Sequence, residues 1–81
     1  MSNITHHSDK NCFILTVDSA EAILEYRLLP DLRIDFSHTF VPAEFRGKGL
    51  AEKLVRHGLA WAETQGLTVQ ASCWYVERFL T

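Results

Sequence analysis

The sequence is short of cysteine, of excess positive charge and of long apolar runs, and each shortage excludes a class of protein. Its two cysteines, Cys12 and Cys73, are too few for a disulfide-dense secreted scaffold. The formal net charge of −2 provides no basic field, so we expect no nucleic-acid partner. No apolar run approaches the roughly 20 residues of a membrane span, so we expect no membrane partner.

The first ten residues also lack the basic leader and the apolar core of a signal peptide. This predicts a cytoplasmic protein with reduced thiols. We expect residues 1–10 to form a polar, mobile tail, in which His6 and His7 are solvated and form no metal site. Residues 11–81 are then expected to form a single domain, because a chain of 81 residues leaves no room for a second one.

Two segments near the start have the composition of strands. Cys12 to Val17 is rich in β-branched and aromatic residues. Ala20 to Leu28 fits a strand by its alternation, but Ser19 as a cap would also suit a helix. The tight turn at Asp18-Ser19 favours a hairpin and therefore the strand. One face of that strand would carry Ala22, Leu24, Tyr26 and Leu28.

Leu32 to Phe40 alternates between apolar and polar side chains, as a half-buried antiparallel strand does. Its apolar face would carry Ile34, Phe36, His38 and Phe40. Lys48 to Gln65 predicts a long helix, because apolar residues recur there at helical spacing. That stripe consists of Leu50, Leu54, Val55, Leu59, Trp61 and Ala62.

Gly66 is a stop signal for the long helix. After it, Leu67 to Ala71 predicts a short strand, and Cys73 to Leu80 predicts a short helix that Ser72 can cap. The predicted fold is therefore α+β, with a mainly antiparallel sheet and the element order β-β-β-α-β-α.

The loop between the third strand and the long helix has the features of an anion site. The first N–H groups of a helix lack internal partners and lie at its positive dipole end. Gly47 and Gly49 would let a phosphate approach the backbone, and Arg46 would add a charge-assisted hydrogen bond. The loop lacks the Gly-Lys-Ser/Thr ending of a Walker A motif. A Gly-x-Gly at a helix start is also compatible with a simple tight turn.

Arg46-Gly47-Lys48-Gly49-Leu50-Ala51 fits the pattern (Gln/Arg)-x-x-Gly-x-(Gly/Ala) of the GCN5-related N-acetyltransferases. Together with His38-Thr39-Phe40-Val41-Pro42 and Cys73-Trp74-Tyr75-Val76, it resembles the minimal branch of that superfamily over about residues 11–80. The resemblance implies that acetyl-CoA or another acyl-CoA binds, with its pyrophosphate on the backbone of Gly47, Lys48, Gly49, Leu50 and Ala51 beside Arg46. It also implies that the pantetheine pairs with the strand around His38, Phe40 and Val41, and that an amine accepts the acyl group.

His38 is the first candidate for catalysis, because an N-acyl transfer needs a base for the amine proton and imidazole titrates near neutral pH. It lies on the predicted apolar face near the expected pantetheine path. A histidine on an apolar face is also compatible with a packed core residue.

Cys73 is the second candidate. It follows a strand and begins a helix, and a helix N-terminus favours the thiolate. It would then accept the acyl group from CoA or protonate the leaving thiolate, whereas a buried free cysteine is often only a small apolar filler. Cys12 is expected in the core. Tyr75 could act as an acid, but its expected role is that of a buried aromatic residue.

The sequence departs from the family pattern in ways that leave the reaction open. The general-acid tyrosine of many relatives falls near Leu80, Trp74 stands where the minimal branch has proline, and Asp18-Ser19 replaces two acceptor-shaping helices. We therefore predict an acetyl-CoA-dependent N-acetyltransferase acting on an unidentified amine or with a protein partner. The alternatives are a non-catalytic CoA-binding module and a small interaction domain, and Trp61 and Trp74 offer aromatic surface for such a partner.

Overall fold

The computed structural model describes residues 3–45, 47 and 49–80, and its five strands form one sheet in the order β1-β2-β3-β4-β5. The strands are β1 (Asn3–His7), β2 (Cys12–Val17), β3 (Ala20–Leu29), β4 (Arg33–Phe40) and β5 (Thr68–Ala71). Between β4 and β5 lie a 3-10 turn (Ala43–Phe45) and helix α1 (Leu50–Thr64), and α2 (Trp74–Glu77) follows β5. The predicted α+β class is confirmed, with four antiparallel strands and β5 parallel to β4.

The prediction of a mobile tail over residues 1–10 is wrong for the part that the structure describes. Asn3–His7 forms a strand that pairs antiparallel with Cys12–Val17, and a turn follows in which the Lys10 N–H donates to the His7 carbonyl at 3.0 Å. The strand is held because its inward side chains are Ile4 and His6, of which His6 stacks on Phe13 at 4.2 Å between ring centroids. The order therefore begins with four strands rather than three.

The core lies between one face of the sheet and α1. The helix supplies Leu54, Val55 and Ala62, which are fully buried against the strand residues Phe13, Leu15, Leu24 and Phe36. Gly58 marks the closest approach, because a Cβ placed there would lie 2.6 Å from Leu24 Cδ2 and 3.2 Å from Phe36 Cε1. The close packing fixes α1, and with it the loop that precedes α1, relative to β4.

A bulge in β4 changes the predicted face pattern. Tyr26 pairs with Phe36 but Glu25 pairs with His38, so Ser37 is an extra residue on β4. Beyond the bulge, Thr39 lies opposite the buried Leu24, on the core side of the sheet. The prediction that His38 and Phe40 share the apolar face of Ile34 and Phe36 is therefore wrong; both are exposed, Phe40 by 51%.

Candidate functional site

A groove of about 510 Å³ opens where β4, the glycine loop, α1 and α2 come together. Its lining consists of Thr39, Val41, Phe45, Gly47, Gly49, Ala51, Glu52, Trp74 and Tyr75. These residues are far apart in the sequence, and the chain crossover through α1 brings them together. The groove therefore joins the predicted anion loop to the start of the last helix.

The groove continues into a gap between β4 and β5. The two strands pair only from Arg33–Phe36 to Thr68–Ala71, whereas β4 runs on to Phe40. At the point of divergence the Phe36 carbonyl accepts hydrogen bonds from the N–H groups of Ser72 and Cys73, both at 3.1 Å. Since no β5 residue pairs with β4 beyond Phe36, an extended ligand can lie beside the last residues of β4.

The glycine loop has the backbone conformation that its sequence predicts. Gly47 and Gly49 have φ angles of 79° and 72°, in the left-handed region that favours glycine, and a Cβ at either position would meet no atom of the described residues within 4 Å. Gly49 is the N-cap of α1 and, having no side chain, supplies no side-chain cap to the first N–H groups of the helix. Arg46 and Lys48 lie outside the described residues.

Leu50 and Ala51, which the resemblance assigns to the pyrophosphate, begin α1, and Ala51 lines the groove. The neighbouring Glu52 lines it too, and its carboxylate accepts a hydrogen bond from Arg56 Nε at 2.7 Å, one turn further along the helix. No sequence pattern marked this acid as a site residue. Its pairing with Arg56 offsets part of the negative charge that it brings to an anion site.

Cys73 is a free, half-buried thiol at the inner end of the gap. Its Sγ lies 3.5 Å from Thr39 Oγ1. Burial raises the pKa of the thiol, but the Thr39 hydroxyl and the backbone amides of Val76, Tyr75 and Thr39 outweigh burial and lower the pKa. Helix α2 is shorter than the predicted Cys73 to Leu80 helix. The thiolate is therefore favoured by the Thr39 hydroxyl on β4 together with backbone amides of β4 and the start of α2.

His38 does not reach this site with its side chain. It lies opposite Glu25, on the face of the sheet away from α1, and is absent from the groove lining. Phe40 also points to that outer face, whereas Val41 lines the groove. Of the predicted strip around His38, Phe40 and Val41, the structure therefore brings only Val41 to the groove with its side chain and adds Thr39.

Three aromatic residues shape the groove without having been predicted as site residues. Phe45 is buried in the 3-10 turn. Trp74 is 70% exposed, and its ring meets Tyr75 edge-on at 5.9 Å between centroids. Trp61, by contrast, is half-buried and packs against His6 and the core. The available signal for Trp74 was its place in the sequence, directly after Cys73 and where the minimal branch of the family has proline.

Asp35 is a fully buried carboxylate on the opposite side of β4. It accepts hydrogen bonds from the Ser72 N–H and hydroxyl, both at 2.8 Å, and from Arg27 at 2.7 Å. Burial raises the pKa of the Asp35 carboxyl, but the hydrogen bonds from Arg27 and Ser72 outweigh it and hold the pKa below its ordinary value. Alternation alone placed Asp35 on a polar face and gave no sign of this role.

Residues 3–45, 47 and 49–80 contain no cluster of three or more His, Cys, Asp or Glu side chains able to hold a metal ion. Within the same ranges, neither helix has the length and apolar character required to cross a membrane.

Comparison with known proteins gives matches over most of the chain. The model of a family described as GCN5-related N-acetyl-transferase matches residues 12–81. Relatives called Protein NATD1 are similar: the one from Bos taurus is 32% identical over 59 residues, which is 73% of this chain and 52% of that protein. The one from Danio rerio is 24% identical over 79 residues, covering 95% of this chain and 72% of that protein. The chain thus spans about half the length of the Bos taurus relative.

A solved structure has the same fold. The NMR structure of a GCN5-like protein from Staphylococcus aureus superposes with a TM-score of 0.76 at 29% sequence identity. The match covers 96% of this chain and 76% of the Staphylococcus aureus chain. The fold similarity therefore includes the first strand, which the family model leaves out.

Proposed function

The chain belongs to the GCN5-related N-acetyltransferase family, as its resemblance predicted, and from this premise we propose that it binds acetyl-CoA and transfers the acetyl group to an amine. The observation that carries the proposal is the groove, which joins the glycine loop, the unpaired end of β4 and the residues after Cys73. The glycine loop suits a pyrophosphate, and the unpaired end of β4 suits an extended chain of amides. The region of Cys73 offers the reactive group that a thioester needs.

The glycine loop would hold the pyrophosphate. The N–H groups of Gly47, Gly49, Leu50 and Ala51, with that of Lys48, are the predicted donors, and the positive end of α1 adds a favourable field. Arg46 would contribute a charge-assisted hydrogen bond. The open space around both glycines supports this placement, because no side chain among the described residues occupies it.

The pantetheine would lie along the last residues of β4. Main-chain groups there are free of β5 and would pair with the two pantetheine amides. His38 and Phe40 would take part only through their main chain, because their side chains are on the outer face. Both residues therefore stay in the proposed pantetheine site, but the imidazole ring of His38 has no part in it.

Cys73 is our candidate for the acyl-transfer step. Its lowered pKa favours the thiolate, which suits an acyl acceptor better than an acid. The thiolate would attack the thioester carbonyl, forming a new C–S bond while the bond to the CoA sulfur breaks and CoA leaves as a thiolate. An amine would then attack the acyl-cysteine, displacing the Cys73 thiolate, and the amine proton would pass to solvent or to the CoA thiolate. His38, the predicted base, has its side chain on the outer face of the sheet and does not line this groove.

Binding is tested by calorimetric titration of the protein with CoA. We expect Arg46→Ala to weaken binding by roughly 1–3 kcal/mol, the effect of losing a charged hydrogen bond. Arg33→Ala is the matched control. This substitution removes the same charge, and Arg33 is exposed at the far end of β4. Equal affinities for both variants would remove Arg46 from the site.

Transfer is tested by incubation with acetyl-CoA followed by intact mass measurement. A mass increase of one acetyl group that is absent from Cys73→Ser would support the two-step route. CoA binding without an adduct, and without CoA release in the presence of an amine panel, would favour the alternative of a non-catalytic CoA-binding module. That alternative draws support from the outward position of His38 and from Leu80 at the usual tyrosine position.

The free thiols of Cys12 and Cys73 are consistent with the predicted cytoplasmic location.

A further inference from the structure

Thr39 is the β4 side chain that meets Cys73. Its Oγ1 lies 3.5 Å from Cys73 Sγ, and the residue also lines the groove. Thr39 is therefore in contact with both the thiol and the space in which the acyl group would arrive. The sequence analysis assigned it no role.

The bulge at Ser37 is what brings Thr39 to this position. In an uninterrupted strand, residues 36, 38 and 40 would share the core face, and His38 would then point toward α1. The extra residue reverses the alternation, so Thr39 lies opposite Leu24 and His38 opposite Glu25. Bulges commonly redirect a side chain next to a functional site.

The backbone of Cys73 is fixed independently of this contact. Its N–H donates to the Phe36 carbonyl at 3.1 Å. The preceding Ser72 is held by two hydrogen bonds to the buried Asp35. With the main chain held in this way, the direction of the Sγ atom depends on the groups around it, which include the backbone amides of Val76 and Tyr75 and the Thr39 hydroxyl at 3.5 Å.

We propose that Thr39 is a positioning residue whose hydroxyl donates to the Cys73 sulfur and holds it, as the thiolate, toward the inner end of the groove. A thiolate only accepts hydrogen bonds, so the hydroxyl must be the donor. The effect on turnover rests on the proposed function, whereas the effect on thiol reactivity does not.

Other ionisable groups lie on the elements around Cys73, and the control of the thiol has to be separated from them. They are Asp35 and His38 on β4, Glu52 and Arg56 on α1, and Tyr75, Glu77 and Arg78 on α2 or next to it. Asp35 is bound to Ser72, and Glu52 is bound to Arg56. Among the described residues, hydrogen bonds rather than charges account for the favoured thiolate.

The experiment measures the alkylation rate of Cys73 by iodoacetamide as a function of pH, read by peptide mass spectrometry so that Cys12 is counted separately. In Thr39→Val we expect the midpoint of the rate profile to move up by about 1 pH unit, and the plateau rate at high pH to rise about 3-fold, because a more basic thiolate is a better nucleophile. Thr39→Ser, which keeps the hydroxyl, should restore the wild-type midpoint.

Thr68→Val is the matched control, because Thr68 is an exposed strand threonine on β5; its profile should match that of the wild type. If Thr39→Val fails to fold, Thr39→Ala serves in its place. Folded Thr39→Val or Thr39→Ala with the wild-type midpoint would overturn the proposal. A wild-type protein that does not bind CoA would instead contradict the proposed function. It would not change the pH profile of Cys73 alkylation, which tests the role of Thr39 by itself.

Discussion

Asp35 and Ser72 are joined by two hydrogen bonds of 2.8 Å, one from the Ser72 main chain and one from its hydroxyl. The pair bridges β4 and the end of β5 at the residue before Cys73, where the two strands separate. Arg27 on β3 donates to the same carboxylate at 2.7 Å. Asp35 thus connects three neighbouring strands at the point where the gap for a ligand begins.

Replacing Asp35 by Asn should destabilise the fold. Asn keeps the shape but loses the charge that Arg27 and Ser72 bind, so we expect the free energy of unfolding to fall by about 1–3 kcal/mol, as for a lost hydrogen bond to a charged group. Urea unfolding at neutral pH measures this change. Asp31→Asn is the control: Asp31 is an exposed turn residue with φ of 64°, a conformation that Asn also adopts, and a similar loss there would refute a special role for Asp35.

Asp35 should also contribute to acid unfolding. Its pKa in the folded state lies below its value in the unfolded chain, so its stabilisation is present above the unfolded pKa of about 4 and is lost as the pH falls through the folded pKa. The difference in stability between the wild type and Asp35→Asn should therefore shrink as the pH falls below about 4. Urea midpoints measured across this range test it, and a constant difference would contradict it.

The stability of β1 should also depend on pH, because of His6. Burial lowers the pKa of His6, and the nearby His57 and His7 lower it further. A histidine whose pKa falls on folding stabilises the fold above its unfolded pKa, near 6.5, and that stability is lost as the pH falls below it. Hydrogen exchange of β1 amides between about pH 7 and 5 should show this loss. His6→Phe should abolish the change, whereas His38→Asn, on the other face of the sheet, should retain it.

The two glycines Gly49 and Gly66 form a matched pair for testing the loop. Both have positive φ, 72° and 71°, and among the residues that the structure describes none has an atom within 4 Å of a Cβ placed at either. Each change to Ala should therefore cost a similar strain of about 1–2 kcal/mol in stability. Only Gly49→Ala should also weaken CoA binding, because the new methyl group would occupy the approach to the first turn of α1. Calorimetric titration with CoA reads this difference, and equal affinities would exclude a close approach at Gly49.

The helix and its glycine loop could be predicted because their signals are local. The apolar spacing from Leu50 to Ala62 and the paired glycines each describe a few neighbouring residues. The structure confirms the helix, over Leu50–Thr64, and gives both glycines a positive φ. The first strand could not be predicted in this way. Its anchor, His6, acts as an aromatic side chain only because Phe13, Tyr26 and Trp61 surround it.

The bulge explains why the site was only partly predicted. The bulged position is a serine, and no glycine or proline stands beside it to mark an irregularity. The apolar alternation in the sequence of β4 also continues through this position. The bulge places Thr39 instead of His38 on the core side of the sheet. This outcome depends on the register of β4 with β3. Pairing between distant strands is not encoded in a strand's own pattern, so the contact of Thr39 with Cys73 became visible only in three dimensions.

The proposal that CoA occupies the groove can be tested by titrating the isotopically labelled protein with CoA and following its amide resonances by NMR. The claim predicts that the resonances of Gly47, Gly49, Leu50 and Ala51 shift together with those of Thr39 and Val41, along one continuous path from the loop to the gap between β4 and β5. A titration to millimolar CoA that leaves these resonances in place, or that shifts only residues on the outer face of the sheet, would contradict it.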